Sequence, residues 1–312
     1  MLFASMPEIF QPFAIAVEQV NELTSERLGI RGVCVGYVTV EKNKLRQFFT
    51  RRAIITGGVC LAENATNTEV LELLLSIRKQ LNSKAIYIEM RNFEDYSPWK
   101  EAFEAAGFRY KKHLNFHVDP TNTQLSDNRK RQIRKGERLT VTGEGVREEE
   151  IKEWYQILKR LYRTKVKTPL WPEKFFVEAY RQGGAKYLLV KHEGKVIGGS
   201  MIVALTNEGV NELTNERGGC VYEWFECGLN NDYKEQYPSV MATWAGIQWA
   251  REHGCARYDM MGAGEPGVPY GVRDFKSEFG GKLVEHGRFL CVNSPILYRL
   301  GVIGVKFLRY RG

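Results

Sequence analysis

The alternation of apolar and polar positions divides the chain into two successive runs of mixed elements. Ile9, Phe10, Phe13, Ala16, Val17 and Val20 recur at helical spacing and predict a helix over 8–28. Two strand-like runs come next, over 32–40 and 54–61, joined by a basic stretch over 42–52. Val70, Leu71, Leu74, Leu75, Ile77 and Leu81 predict an amphipathic helix over 67–81, with Thr68 as its cap. Residues 85–91 alternate, so Tyr87, Glu89 and Arg91 share one face of a strand and Ile86, Ile88 and Met90 the other. A short helix over 99–106, stopped by Gly107, and a strand over 108–118 complete a β-β-α-β-α-β unit.

After a polar, turn-rich join over 119–127 comes a helix over 128–138, capped by Ser126 or Asp127. The second run then reads as helices over 148–164 and 172–182, a hairpin of 185–192 and 195–205 around Glu193-Gly194, a strand over 219–228, a helix over 237–253 and a strand over 256–260. Alternation within 219–228 puts Tyr222, Trp224 and Glu226 on one face and Glu223 and Phe225 on the other. The last strand opens into a glycine- and proline-rich loop over 262–271 that ends near Phe275-Lys276. The expected fold class is α/β in the α+β sense: two tandem domains, each a mixed twisted sheet flanked by helices. Their expected bounds are 1–123 and 124–293, with a C-terminal helix over 294–312 packing back on the first domain.

Composition changes this picture little, and charge changes it more. With 43% hydrophobic and 26% charged residues, the chain has the makeup of a soluble globular protein. A net charge of +8 points to an anionic partner: nucleic acid, a nucleotide-linked substrate or an anionic membrane surface. Six basic residues fall within 129–138, and Arg129, Lys130, Arg131, Arg134 and Lys135 are the candidate phosphate contacts. No aromatic residues interleave them, so base stacking is not expected there. DNA is not among the expected partners. The tail, with Lys306, Arg309 and Arg311, reads as a terminal core helix, a membrane-surface helix being the alternative. Neither a secretory leader nor an apolar run of about 18 residues is visible, and the six cysteines form no CxxC pair. A reduced, cytoplasmic protein is expected. His113 and His117 lack acidic or thiol partners at ligand spacing, so no metal site is expected.

The order helix-helix, hairpin, strand, helix, strand is that of the GNAT N-acyltransferases. In those enzymes a glycine-rich turn before the last helix holds the CoA pyrophosphate on main-chain NH groups. Here the corresponding turn, 228–239, has no glycine after Gly228, and Pro238 stands where the helix begins. A GNAT-like frame without that cradle resembles the Fem family, aminoacyltransferases of peptidoglycan bridges made of two GNAT-like domains. The resemblance rests on Ser126-Asp-Asn-Arg-Lys-Arg-Gln-Ile-Arg-Lys-Gly136, on Tyr237-Pro238 before a helix with Trp244 and Trp249, on Tyr258-Asp259 before the glycine-rich loop, and on Phe275-Lys276 followed by Phe279-Gly280.

The resemblance implies an aminoacyl group taken from aminoacyl-tRNA, an amine acceptor on a peptidoglycan precursor, and no tightly bound cofactor. It makes Phe275 and Lys276 catalytic candidates, the lysine stabilising charge on the tetrahedral intermediate or on tRNA phosphate. It also implies acceptor binding by Tyr87 and Arg91 at an interdomain cleft, which strand 221–226 would line with Tyr222 and Trp224. Glu223 and Glu226 are candidate general bases, Asp259 a loop-shaping acceptor, and Arg273 a further substrate contact. Trp171 stands where an acceptor-binding arginine is expected, a departure that bears on the acceptor. Two alternatives remain open: an acyl-CoA donor in a rebuilt pocket, and a GNAT-derived RNA-binding or regulatory module without catalysis.

Overall fold

The structure, a computed structural model, describes residues 2–20, 27–205 and 218–310. Arg311 of the basic tail lies outside the described residues. The contacts divide into two units, Phe3–His113 with Glu285–Gly312, and Leu114–Val284. In chain order the first unit has β1 (Phe10–Val20), β2 (Arg27–Thr39), α1 (Lys44–Thr50), β3 (Ala53–Gly57), β4 (Cys60–Leu61), α2 (Asn67–Leu81), β5 (Tyr87–Asn92), α3 (Lys100–Ala105) and β6 (Arg109–Lys111). The second unit continues with β7 (Asn115–Val118), α4 (Asp127–Leu139), β8 (Val141–Gly143), α5 (Glu148–Leu161), α6 (Glu173–Arg181), β9 (Lys186–His192), β10 (Lys195–Leu205), β11 (Cys220–Gly228), α7 (Pro238–Glu252), β12 (Arg257–Gly262), α8 (Gly271–Ser277) and β13 (Lys282–Val284). The chain then returns to the first unit with β14 (Arg288–Val292) and α9 (Pro295–Tyr310). Each unit is a mixed sheet flanked by helices, as the element pattern predicts.

The first sheet runs β1-β2-β3-β5-β14-β6, with β4 on β2. The helix expected over 8–28 is instead a strand pair, antiparallel from Phe10↔Thr39 to Val20↔Arg27. Phe13, Ile15 and Val17 pack on the core at a period of two, while Gln11, Ala14, Ala16 and Glu18 face water. Pro12 would break a helix interior but is tolerated in β1, an edge strand. Helix α2 forms as expected and buries Val70, Leu73, Leu74 and Ile77; its cap is Thr66, two residues before the expected Thr68, reciprocated by Glu69 in a capping box. Strand β5 alternates as expected, with Ile88 and Met90 in the core. The single strand expected over 108–118 splits, β6 pairing with β14 in the first sheet and β7 with β12 and β13 in the second. A period of two carries no information about which sheet a strand joins.

The second sheet runs β13-β7-β12-β11-β10-β9-β8. Helix α7 is buried over most of its surface against this sheet. Gly136 lets α4 approach it closely, since a Cβ there would meet the Met241 sulfur at 2.4 Å. Two irregularities shape this sheet around its middle strands. β11 and β12 are parallel neighbours only from Cys220↔Arg257 to Tyr222↔Asp259. On its other edge β11 pairs Phe225 with Met201 but Glu223 with Ile202, so Trp224 is an inserted bulge residue. All six cysteines are free thiols. Among the described residues no helix is long and apolar enough to cross a membrane.

Candidate active site

The bulge at Trp224 reverses the expected facing of β11. Glu223 and Glu226 pair with Ile202 and Ser200, two residues apart on β10, so the two carboxyls share one face. Tyr222 and Phe225, opposite Val203 and Met201, share the other face. The grouping of Tyr222 and Trp224 with Glu226 is therefore corrected. A strict period of two cannot anticipate one extra residue.

The glutamate face meets Tyr258 of β12, while Asp259, in register with Tyr222, lies on the other face. The Tyr258 hydroxyl donates to Glu223 Oε1 at 2.9 Å. Asp259 is fully enclosed; its Oδ1 accepts from the Met261 N–H at 2.6 Å and its Oδ2 from Asn115 at 3.2 Å, with His117 Nε2 3.3 Å away. Burial pushes the Glu223 carboxyl up, against the opposing pull of Lys276. Burial, together with the neighbouring Glu223, pushes Glu226 up to about 8. One of its oxygens, Oε1, is enclosed without a hydrogen-bond partner. Burial lowers Lys276, and Glu223, Asp259 and Glu226 resist that shift. Burial first, and the neighbouring Glu223 second, hold the Glu226 carboxyl above its ordinary value, while Lys276 opposes the rise.

Lys276 is spent in an unforeseen way. Its Nζ donates to the main-chain carbonyls of Met260 at 2.5 Å, Gly262 at 2.7 Å and Met261 at 3.4 Å. One helical turn earlier, Arg273 does the same for the loop: Nε to Ala263 O at 2.9 Å, Nη1 to Val268 O at 3.2 Å and Nη2 to Glu265 O at 2.5 Å. Met261, at φ 62°, bends the chain as β12 ends, so these carbonyls leave the sheet ladder. The two cations of α8 supply the missing donors. This geometry departs from an open ammonium awaiting an oxyanion, and from Arg273 as a substrate contact.

Beside the cluster lies an open pocket of about 570 Å³, whose wall includes Arg129, Lys234, Tyr237, Ser239 and Phe275. It abuts the start of α7, where Tyr237 takes φ 52° and Pro238 contributes no N–H. Asn230 Oδ1 accepts from Ser239 N at 3.1 Å, and Asn230 Nδ2 donates to Ser239 Oγ at 2.7 Å. At the start of α7 the Ser239 N–H is thus taken by the chain's own asparagine.

Arg129 is an internal clamp between α4 and α8. Its guanidinium stacks over Phe275 and Phe279 at 4.6 and 4.4 Å, donates to Phe275 O at 3.0 Å and lies 3.7 Å from Glu278. Arg129→Met is expected to cost about 3 kcal/mol, because a buried charged hydrogen bond and two cation–π contacts are lost. Urea denaturation measures this. Lys130, Arg131, Arg134 and Lys135 stay exposed along α4, which Ser126 caps. Lys130 lies 3.3 Å from Asp127, and Lys135 pairs with Glu235.

Trp171 and Trp224 join an aromatic cluster with Phe175 and Phe225, Trp171 tilted over Phe175 at 4.2 Å and edge-on to Phe225 at 5.7 Å. The Tyr222 hydroxyl is buried 3.5 Å from Arg257. Tyr87 and Arg91 belong to the first unit, Tyr87 edge-on to Tyr298 at 5.3 Å and Arg91 donating to Glu89 at 3.2 Å. Sequence reasoning assigned no role to Tyr258, Asn230, Ser239 or Lys234. Helix-start chemistry at Ser239 was the one local signal available.

Residues 213–303, which contain the charge cluster and the closed helix start, match the FemAB family. The solved structure of FemX superposes with a TM-score of 0.68 at 14% identity, over 96% of this chain and 92% of that one. L-PGS from Bacillus licheniformis gives 0.54 at 13% identity, over 85% and 82%. A tandem GNAT protein of the clavulanic acid biosynthesis pathway gives 0.51 at 10% identity, over 93% and 85%. No curated protein matches the sequence. These likenesses give the chain a GNAT-like fold. The likeness to the FemAB family is carried by residues 213–303.

Proposed function

We propose that this protein is a Fem-type N-acyltransferase that moves an aminoacyl group from aminoacyl-tRNA to an amine of a peptidoglycan precursor. The observation that carries the reading is the closed start of α7, with Pro238 first and Asn230 on Ser239, inside the segment that matches the FemAB family. A donor bound here has no pyrophosphate cradle to use, which favours tRNA over CoA. No resident cofactor is invoked.

In this proposal the donor's acyl end enters the pocket beside Phe275, and its phosphates meet Lys130, Arg131, Arg134 and Lys135 on α4. The acceptor nitrogen bonds to the acyl carbon, the ester bond to the ribose oxygen breaks, and that oxygen leaves with a proton. Glu226, as carboxylate, takes the proton lost by the amine and passes it to the departing ribose oxygen, with Glu223 beside it. Lys276 acts as a positioning residue that holds the end of β12 and balances the carboxyls. Tyr87 and Arg91 remain the proposed acceptor contacts.

The test is incubation with a panel of charged tRNAs or acyl-CoAs and with nucleotide-linked or lipid-linked cell-wall precursors, product being read by mass spectrometry. Product with charged tRNA and none with acyl-CoA is expected. Product from acyl-CoA alone would overturn the donor assignment. No product with any donor, alongside salt-sensitive tRNA binding, would point to an RNA-binding module.

A further inference from the structure

Two short stretches of the first unit carry apolar side chains that its core does not take up. Helix α9 is anchored by Tyr298 against Tyr87, with Leu297, Tyr298 and Gly301 partly covered. One turn apart on its outward side, Ile296, Leu300 and Ile303 are 75%, 50% and 52% exposed. This spacing of four and three residues makes one continuous stripe. Beside it packs α1, close enough that a Cβ on Gly301 would lie 3.9 Å from the Phe49 carbonyl. Helix α1 adds Leu45, Phe48 and Phe49, of which Leu45 is 71% exposed. The result is a contiguous apolar face, an arrangement that marks an interaction surface.

The charges on this face have one sign. Neither α1 (KLRQFFT) nor α9 (PILYRLGVIGVKFLRY) contains an acidic residue, whereas Lys44, Arg46 and Arg299 are exposed among the apolar residues. Exposed Lys42 precedes α1, Arg51 follows it and lies over the Phe48 ring, and Glu41 approaches Arg46 at 3.9 Å on the margin. Among the described residues no helix is long and apolar enough to cross a bilayer, and the outward side of α9 mixes apolar residues with Arg299. A two-fold contact with a second copy would set this basic face against itself, which like charges oppose. A surface that is apolar in depth and anionic at its boundary complements it on both counts.

We infer that α1 and α9 together dock the protein on an anionic lipid surface, Ile296, Leu300, Ile303, Leu45 and Phe48 entering the headgroup boundary while Lys44 and Arg299 meet lipid phosphates. This inference stands apart from the acyl-transfer reading; if both hold, lipid-linked acceptors become the accessible class. The full chain is sedimented with vesicles of phosphatidylcholine alone or mixed with phosphatidylglycerol, at low and high salt. It should bind the mixed vesicles and release in high salt. Lys44→Ala with Arg299→Ala should weaken partitioning about twenty-five-fold, at about fivefold per basic residue. Leu300→Asp with Ile303→Asp should abolish it with an unchanged thermal melt, because both positions are exposed. Absence of vesicle binding would overturn the inference, as would binding that both double variants leave intact. A dimer seen by sedimentation velocity without vesicles, dispersed by the same variants, with no vesicle binding, would assign the face to self-association instead. Vesicle binding is read without any donor or acceptor, so its failure is distinct from a failure of acyl transfer.

Discussion

Replacing Lys276 with methionine is expected to destabilise the second unit by about 3–5 kcal/mol, the cost of removing one partner from a buried charge cluster. The side chain stays unbranched and apolar along its stem but ends one atom shorter and loses its charge and its N–H donors. Met260, Met261 and Gly262 then lose the ammonium their carbonyls face, and Glu223, Asp259 and Glu226 lose the cation that offsets their mutual repulsion. Urea denaturation followed by tryptophan fluorescence measures the loss, and transferase activity should fall with it, since the end of β12 borders the proposed site. A Lys276→Met protein as stable as the parent yet inactive would sink the positioning role and make Lys276 a group that meets substrate.

Glu226→Gln separates chemistry from packing. In the folded protein Glu226 is pushed up to about 8 from an ordinary 4.5, so between those values the folded state holds a proton that the unfolded state has released. Stability from this group is complete at low pH, declines as pH rises from about 4.5 toward 8, and is lost above that. The glutamine variant lacks this decline, so it should show a flatter stability profile and exceed the parent in stability above pH 8. Glu223, raised by burial as well, leaves a residual slope in the variant. If Glu226 takes the amine proton, activity in the parent rises with pH toward 8 and then levels. The variant should lose that limb and fall by about a hundred- to ten-thousandfold. Undiminished activity with an unchanged pH profile would remove Glu226 from the mechanism.

These two residues also show how far local pattern reaches. Periodicity found α2, α4, α5, α6, α7 and the β9–β10 hairpin, because each buries an apolar stripe or strand face that repeats in the sequence. It misread 8–28, where apolar positions satisfy both a helical and a strand spacing, and the pairing of β1 with β2 decided between them. The candidate site was legible as a list of residues. Phe275, Lys276, Glu223, Glu226 and Asp259 come together in one unit, but their partners and facing were not legible.

By itself the sequence determined the two α/β runs, the basic face of α4 and the missing glycines before α7, all of which rest on composition and spacing within a single element. Only the tertiary structure decided that β14 returns to the first sheet after the second is complete, because strand pairing over long separations leaves no local trace. It alone decided that one bulged residue turns Glu223 and Glu226 to the same side, since register belongs to a strand and its neighbour together. It also decided that Lys276, Arg273 and Arg129 face inward, three cations that the sequence presents as solvent-ready. The carbonyls and rings that hold them are brought to hand only when β12, α8 and α4 pack against one another.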